Sequence, residues 1–283
     1  MQEVVLASAC RTPIGTLWGS LKKVQAKELA VAAGREAIRR SGVAAADIDE
    51  ICMGQILTAL QGSLPARQVG VALGLAPRSG AVSINQNCAS GMRAVEIAAH
   101  NIMLGKTEIA LVVAVESMTN APYLIPKIKG KKEIDQDAME DHLFHDALID
   151  ALIPGHMGIS AENIGARYGI ARDACDRLAL MSHQRAARAI DEGRFTREVV
   201  PLELEGRKAP VIFDTDEHVD RDLTLESLAE MATPFKDDGV VTIGNASGIC
   251  DGAAAAVLMS RNKAAELGIQ PLMKLINICT EGM

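Results

Sequence analysis

Aromatic residues are scarce in this chain of 283 residues, which has one tryptophan, two tyrosines and four phenylalanines. Proteins that bind nucleic acid stack bases on aromatic rings and attract the phosphate backbone with excess positive charge. Here 29 basic residues face 36 acidic ones, and the formal net charge is −7. The sequence therefore predicts that the protein does not bind nucleic acid.

Long apolar runs and paired cysteines are also missing. No apolar run reaches the length of a membrane span, and the amino terminus lacks the pattern of a secretory signal. The six cysteines lie far apart and form no Cys-x-x-Cys pair, so neither a zinc ribbon nor a disulfide scaffold is indicated. We expect no membrane insertion, a cytoplasmic location and mostly reduced, structural cysteines.

Hydrophobic residues make up 48% of the chain, enough for a large buried core. In the first 115 residues, apolar strands alternate with helices, which indicates an α/β fold. Continuous apolar strands between helices favour a parallel sheet covered on both faces. The predicted strands and helices alternate over 4–7, 26–40, 51–56, 65–73, 81–86, 89–104 and 109–115.

The pattern changes between about 117 and 246 to polar, irregular segments around short helices. One of these helices is predicted over 173–192, beginning at a capping aspartate. We interpret this stretch as an inserted domain. An apolar strand then returns at 252–259, a helix follows at 262–267, and 272–278 has the pattern of a further strand.

The most informative stretch is S-I-N-Q-N-C-A-S-G-M-R-A at 83–94, where a predicted strand meets a cysteine that opens an apolar helix. Backbone N–H groups of a first helical turn stabilise a thiolate at that position. Small residues at 89–91 leave room for a substrate. Cys88 is therefore a candidate nucleophile, although an unpaired cysteine is also a common buried residue.

Several motifs resemble those of the thiolases, the enzymes that make and cleave 3-ketoacyl-CoA. They follow the family's order along nearly the whole chain: Arg11-Thr12-Pro13-Ile14-Gly15, Asn85 to Ala94, His156-Met157-Gly158 with Ala161-Glu162-Asn163, and Asn245-Ala246-Ser247-Gly248 with Asp251-Gly252-Ala253. The family also has a second catalytic half with Asn-Glu-Ala-Phe, Gly-His-Pro and Cys-x-Gly-Gly motifs, and none of these follows Cys279. The resemblance implies a truncated, thiolase-like layered α/β fold.

This resemblance divides the chain into three parts. It implies an N-terminal α/β domain over 1–117 and 248–268, an inserted CoA-binding loop domain over 118–247, and the start of a C-terminal domain over 269–283. The helix after Cys88 would lie between two sheets, the second supplied by the missing half. Because an uncovered apolar helix promotes association, we expect the chain to self-associate or to be marginally stable.

The resemblance also implies roles for single residues. Cys88 would accept the acyl group, and its own backbone N–H would help to bind the thioester oxygen. The family's activating base is a histidine in the Gly-His-Pro motif, and none of the six histidines here has that context. The resemblance therefore offers no base for Cys88 within this chain.

Contacts with coenzyme A are implied for a further set of residues. His156 and Met157 match the pair that touches the pantetheine arm, and Ser247 matches its hydrogen-bond partner. Ala246 and Gly248 would shape the narrow tunnel through which the thioester reaches Cys88. The segment that contacts the nucleotide in the family here contains Arg221, Ser227 and Phe235.

Other polar residues receive a plainer interpretation. His142 and His145 have the helical spacing of a metal pair, but no third ligand is indicated, so we interpret them as surface residues and expect no metal. The lysine-rich run at 127–132 is interpreted as a solvated loop rather than an anion site. Glu116 ends an apolar strand, where a carboxylate is usually capped or solvated, and receives no role.

The implied activity is ping-pong acyl transfer with acyl-CoA as substrate and no permanently bound cofactor. His156 before Met157 favours short-chain substrates of the acetoacetyl-CoA type. A homodimer or homotetramer is implied. Two explanations of the missing half stay open: a separate chain supplies it, or this chain is a fragment or a shortened relative. Two other interpretations stay open: a non-catalytic acyl-CoA-binding or assembly protein, and a ketoacyl-synthase-like enzyme, which shares the fold and a helix-start cysteine.

Overall fold

The computed structural model describes residues 1–127, 136–153 and 155–282, and divides the chain into two compact units. The first unit comprises Met1–Asn120, Arg197–Thr215 and Cys250–Met283. The second comprises Ala121–Thr196 and Asp216–Ile249. Apart from Lys127, the lysine-rich run predicted as a solvated loop lies outside the described residues.

Helices and mostly short strands alternate along the chain. The helices are α1 (Ala26–Ser41), α2 (Pro65–Ala72), α3 (Ser90–Met103), α4 (Met157–Tyr168), α5 (Arg172–Asp191), α6 (Leu225–Ala229) and α7 (Arg261–Glu266). The strands are β1 (Val4–Arg11), β2 (Gly15–Thr16), β3 (Glu50–Gly54), β4 (Gly80–Ile84), β5 (Ile109–Ser117), β6 (Tyr123–Leu124), β7 (Glu140–Asp141), β8 (Ile149–Asp150), β9 (Gly155–His156), β10 (Leu202–Leu204), β11 (Val211–Phe213), β12 (Cys250–Ser260) and β13 (Met273–Lys274).

Seven strands of the first unit form one mixed sheet in the order β13-β1-β12-β5-β3-β4, with β2 also paired to β12. Strand β3 is parallel to β4 and β5, whereas β12 is antiparallel to β1 and β5. The predicted parallel sheet is therefore wrong for β1, β12 and β13. A continuous apolar run indicates burial on both faces but contains no information on strand direction.

The core of the first unit lies on both faces of this sheet. Under α1, Leu29 belongs to a cluster of buried residues that includes Leu111 and Val257. Under α3, Ile102 belongs to a second cluster that includes Val112. Burying each such side chain completely contributes about 1.5–3 kcal/mol, so these clusters fix both helices on the sheet.

The last predicted strand, over 272–278, is wrong in length. Strand β13 spans Met273–Lys274, and the N–H of Leu275 still donates to the carbonyl of Val4. Because β1 begins at Val4, the residues after Leu275 have no further partner on that strand. None of the described helices is long and apolar enough to cross a membrane.

Helix α3 is only partly covered. Its buried residues are Ser90, Ala94, Glu96, Ala98, Ala99 and Ile102. Met92 and Leu104 are each 63% exposed. A single sheet of the first unit packs against this helix, and part of the helix surface that the resemblance expects a second sheet to cover is exposed in the described chain.

The second unit is built around α4 and α5 with the short strand pairs β6–β7 and β8–β9. Helix α5 starts and ends one residue earlier than predicted. In its first turn, Arg172 Nε donates to Asp176 Oδ2 at 2.8 Å, and the guanidinium also donates to the carbonyls of Leu228 and Met231. This arginine therefore joins α5 to the segment around α6.

We expect the chain to self-associate through the exposed apolar residues of α3 and of its C-cap. Replacing Met92 and Leu104 with glutamate should shift the chain towards monomer in light scattering at high concentration, because charged residues oppose burial at an interface. Val71→Glu is the matched control, since Val71 is similarly exposed on α2. A wild-type chain that is monodisperse monomer at high concentration would contradict this expectation.

Candidate active site

The carboxyl ends of three parallel strands meet at one edge of the sheet in the first unit. Gly54, the last residue of β3, pairs in register with Ile84 of β4 and Ala114 of β5. In α/β sheets, the residues that follow such strand ends converge on one region and often form the site. The segment that contains Cys88 follows Ile84 directly.

Residues 85–89, here called the nucleophile loop, connect β4 to α3. The side chain of Cys88 is exposed and forms no disulfide. Helix α3 begins at Ser90 with Ala89 as its N-cap, so Cys88 lies two residues before the helix rather than opening it as predicted. The N–H groups of Ala89 and Ser90 instead close a turn onto the carbonyls of Gln86 and Asn87.

Side chains within and beside this loop fix its conformation. Ser90 Oγ accepts the N–H of Gln86 at 2.8 Å and donates to the carbonyl of Asn87 at 2.6 Å. Asn85 Oδ1 accepts the N–H of Asn87 at 3.0 Å. Asn87 has a φ of +48°, a left-handed conformation that asparagine tolerates better than most residues. These bonds hold the residue before Cys88 in a turn that exposes the thiol.

The start of α3 rests directly on the ends of β3 and β5. A Cβ atom on Gly54 would lie 2.6 Å from the backbone nitrogen of Gly91, and one on Gly91 would lie 2.8 Å from Ala114 Cβ. Real Cβ atoms essentially never approach other heavy atoms so closely. Both positions therefore require glycine, and the close approach seats the nucleophile loop at the sheet edge.

Cys88 is exposed, whereas four of the other five cysteines are buried or partly buried. Desolvation raises the pKa of the Cys10 thiol to about 11 and that of Cys52 to about 12. Burial also raises the pKa values of Cys175 and Cys250. The two exposed thiols of the chain are Cys88 and Cys279. Reaction with a bulky thioester is therefore open to these two, and Cys88 alone lies on a structured loop before a helix.

In the second unit, His156 and Phe235 lie against each other, a contact that the sequence did not predict. Their rings stack with centroids 4.7 Å apart, and His156 Nδ1 accepts the N–H of Gly158 at 3.0 Å as the cap of α4. A Cβ on Gly158 would meet the Phe235 ring at 2.5 Å, which explains the glycine of this motif. Met157 is the first residue of α4 and is partly exposed.

Phe144 also belongs to this group, and the sequence offered no signal for it. Its ring centroid lies 6.3 Å from that of His156 at a tilt of 56°. Aromatic rings at this distance and tilt attract each other and limit each other's motion. Phe144 and Phe235 thus both hold the His156 ring in place.

The Asn245 motif is anchored by two buried acids, Glu162 and Asp176, to which the sequence assigned no role. Asn245 Nδ2 donates to Asp176 Oδ1 at 2.8 Å and to the carbonyl of Val240 at 2.9 Å. The buried Glu162 carboxylate accepts the N–H groups of Val240 and Val241 at 2.9 and 2.7 Å. Glu162 lies in the motif after His156, whereas Asp176 has no recognisable pattern around it.

A groove of about 340 Å³ opens beside this anchored loop. It is lined by Asn245, Ala246 and Ser247 on one side and by residues of α5, including His183, on the other. Gly248 follows in close contact with the His218 ring, where a Cβ would lie 2.7 Å from Nδ1. Ala246, Ser247 and Gly248 are thus held on a loop with little freedom.

Arg221 and Ser227 have partners of their own within the second unit. The Arg221 guanidinium forms two hydrogen bonds to the Asp191 carboxylate, at 3.0 and 2.8 Å, and the pair lowers the pKa of that carboxyl. Ser227 forms a capping box with Thr224 at the start of α6. Their roles towards a nucleotide stay predictions, and Arg221 would have to share its charge with Asp191.

The interpretation of His142 as a surface residue is wrong. His142 is 6% exposed, and its Nδ1 lies 2.7 Å from Asp146 Oδ2, while the exposed His145 reaches Asp146 Oδ1 at 2.7 Å. Asp146 therefore bridges the two rings, of which that of His142 is buried and that of His145 is exposed. Within the described ranges, no group of three or more His, Cys, Asp and Glu side chains could hold a metal ion.

Glu116 is held by the backbone rather than solvated. Its carboxylate accepts the N–H of Ile56 and, at 3.2 Å, the N–H of Leu57. Burial raises the pKa of this carboxyl to about 7, and the two backbone hydrogen bonds oppose the shift. A carboxyl that titrates near neutral pH beside the end of β3 was not expected from the sequence.

These features define a class: an α/β protein whose sheet edge presents an exposed cysteine on a glycine-seated loop before a helix. The family described as "Thiolase, N-terminal domain" matches residues 4–262. The chain belongs to the thiolase family, a family of acyltransferases that use CoA substrates. The family predicted from the motifs is therefore confirmed.

Two curated relatives are both named acetyl-CoA acetyltransferase. The one from Syntrophomonas wolfei subsp. wolfei is 42% identical over 100% of this chain and 72% of its own length. The one from Chromobacterium violaceum is 42% identical over 95% of this chain and 69% of its own length. The match thus extends along nearly the whole described chain.

Two solved structures have the same fold. The acetyl-CoA acetyltransferase from Syntrophomonas wolfei superposes with a TM-score of 0.96 at 50% identity, covering 100% of this chain and 71% of that one. The Bacillus anthracis acetyl-CoA acetyltransferase superposes with a TM-score of 0.92 at 38% identity, covering 97% of this chain and 69% of that one. The thiolase-like mixed α/β fold is therefore confirmed.

We predict that Gly54→Ala displaces the nucleophile loop. The added methyl group would overlap the Ser90–Gly91 backbone, so the free energy of unfolding should fall by about 1–3 kcal/mol. Iodoacetamide should then alkylate Cys88 at a changed rate, read by peptide mass spectrometry. Gly80→Ala is the control, because its Cβ would lie at an ordinary 3.5 Å from Glu50 Cβ. Equal effects of the two substitutions would contradict the seating of the loop on Gly54.

Proposed function

We propose that this chain carries the acyl-accepting half of a thiolase reaction, acetyl-CoA plus acyl-CoA to 3-ketoacyl-CoA plus CoA. The Cys88 sulfur attacks the thioester carbonyl, a bond from this sulfur to the acyl carbon forms, and CoA leaves with the thiol proton. A base then removes a proton from the methyl group of acetyl-CoA. The resulting carbanion forms the new carbon–carbon bond and releases Cys88, which regains a proton.

The observation that supports this proposal most strongly is the placement of Cys88. Its thiol is exposed on a loop that hydrogen bonds of the Ser90 and Asn85 side chains hold in place. Curated relatives of the chain include acetyl-CoA acetyltransferases. The backbone N–H of Cys88 is the oxyanion donor that we propose from this side of the site. Thioester exchange at a cysteine needs no metal or bound cofactor, and we propose none.

Contacts in the second unit support binding of the CoA arm there. His156, fixed between Phe144 and Phe235, offers an imidazole edge, and Ser247 lies beside a groove of about 340 Å³. We propose that His156, Met157, Ala246, Ser247 and Gly248 bind pantetheine and that Arg221, Ser227 and Phe235 face the nucleotide. His156 before Met157 also favours a short acyl group.

The proposed reaction needs a base that this chain does not offer in the family's context. We propose that residues outside this sequence supply it, either from a separate chain or from further residues of the same protein. The exposed side of α3 supports a covering layer there, because Met92 and Leu104 would otherwise remain in water. We also propose that the protein forms a homodimer or a homotetramer and that it lies in the cytoplasm.

The test is intact-mass analysis after incubation with acetyl-CoA and acetoacetyl-CoA. It is run on the chain alone and on the chain mixed with the part of the Syntrophomonas wolfei relative that lies outside the alignment. An adduct of one acetyl group is expected on wild type in at least one of these two samples, because Cys88 forms a covalent thioester. Peptide mapping should locate it at Cys88.

Two variants control this experiment. Cys88→Ala should form no adduct, whereas Cys279→Ala, which removes the other exposed thiol, should react like wild type. Absence of the adduct both from the chain alone and from the mixture, with CoA binding still measurable by calorimetry, would overturn the proposal. That result would instead favour a non-catalytic acyl-CoA-binding protein.

A further inference from the structure

A carboxylate lies behind the nucleophile loop and takes no part in the proposed chemistry. Glu116 follows Ala114 by two residues on β5, at the same sheet edge as the loop. Its two oxygens accept the N–H groups of Ile56 and Leu57, the residues that continue the chain beyond β3. One side chain thus fixes the path of this segment.

The segment that Glu116 holds contacts the residues on both sides of the nucleophile loop. Its first residue, Gly54, lies against the backbone of Ser90 and Gly91 with no room for a Cβ. The N–H of Gln55 donates at 3.0 Å to the carbonyl of Ile84, the residue after which the loop begins. Residues 54–57, here called the floor segment, therefore touch both ends of the loop that contains Cys88.

A buried amide stiffens the same segment. Gln55 is 1% exposed, and its Nε2 donates to the carbonyl of Leu57 at 3.1 Å and to Gln61 Oε1 at 2.9 Å. Gln61 in turn donates to the Leu57 carbonyl at 2.6 Å. These bonds fix the carbonyl of Leu57, and Glu116 fixes its N–H. The floor segment is therefore held at both polar groups of this residue.

We propose that Glu116 is a positioning residue for Cys88, whose carboxylate holds the floor segment and thereby sets the reactivity of the nucleophile loop. A carboxylate presents two acceptor oxygens to the two N–H groups, whereas a protonated carboxyl turns one of them into a donor. A donor facing an N–H loses that hydrogen bond and leaves a partly buried group unsatisfied. The loop is therefore held firmly only in the ionised form. This inference rests on Cys88 being the acyl acceptor.

The surroundings of Glu116 place this change near neutral pH. Burial raises its pKa to about 7, and among the described residues no charged side chain contributes to the shift. None of the titratable and charged groups on the elements packed against β5 is among the causes of this shift. These groups are Asp251 and Cys250 on β12, Glu50 and Cys52 on β3, Arg93, Glu96 and His100 on α3, and Lys27, Glu28, Arg35, Glu36, Arg39 and Arg40 on α1.

The test compares wild type with Glu116→Gln, whose amide nitrogen permanently replaces one acceptor oxygen. Alkylation of Cys88 by iodoacetamide is measured between about pH 6 and pH 8, and the rate constants are expressed as a ratio of wild type to variant. The intrinsic ionisation of the thiol cancels in that ratio. We expect the ratio to rise from about one to about five, with a midpoint near the Glu116 pKa.

Two controls separate positioning from general loss of stability. Glu50→Gln changes a buried carboxyl at the opposite end of β3, held by Asn101 and Thr107 and likewise raised in pKa by burial. Its ratio should stay flat with pH. Cys279, mapped in the same digests, should react equally in all variants. A flat ratio for Glu116→Gln, or an equal pH dependence for Glu50→Gln, would overturn the proposal.

A measurement on wild type covers the case in which Glu116→Gln does not fold. Amide resonances of Ile56, Leu57 and Ser90 should titrate together with one midpoint near neutral pH, and a Ser90 resonance that stays fixed would overturn the proposal. Alkylation requires no acyl chemistry. A missing acetyl adduct at Cys88 would therefore contradict the proposed function. A ratio of wild-type to Glu116→Gln alkylation rates that rises with pH would still support the role of Glu116.

Discussion

The close contact between Gly54 and the first turn of α3 is the constraint on which the site depends. Two backbones approach here without an intervening side chain, which brings the helix start onto the ends of β3 and β5. The turn at Asn87 and the hydrogen bonds of Ser90, which hold the residues around Cys88, lie directly before this contact in the chain. A residue larger than glycine at position 54 would force the helix away and separate the nucleophile loop from the sheet.

The second unit is organised by buried charge rather than by close backbone contact. Glu162 and Asp176 accept hydrogen bonds from Val240, Val241 and Asn245, and Arg172 neutralises Asp176. Buried carboxylates are tolerable only when paired and fully hydrogen-bonded, so this network resists deformation as a whole. The loop that contains Ser247 is thus fixed by residues that are remote from it in sequence.

The sequence predicted the elements well where burial gives a repeating pattern, and poorly where partners are distant. The strand before Cys88 could be read from its apolar residues, helix α5 from the aspartate that lies in its first turn, and Cys88 and His156 from motifs. Strand direction in β12 and the burial of His142 could not, because both depend on which segments pair. Asp176 and Glu116 lie in ordinary local sequence, and their roles arise only when Asn245 and Ile56 are brought beside them.

The most direct test of the acyl-acceptor assignment is a crystal structure, after exposure to acetyl-CoA, of the wild-type chain mixed with the part of the Syntrophomonas wolfei relative that lies outside the alignment. We expect an acetyl group on Cys88 Sγ with its carbonyl oxygen about 2.7–3.1 Å from the Cys88 backbone nitrogen. We also expect α3 to keep its contact with Gly54. An unmodified Cys88 with an acetyl group on Cys279, or on no cysteine while CoA occupies the second unit, would contradict the assignment.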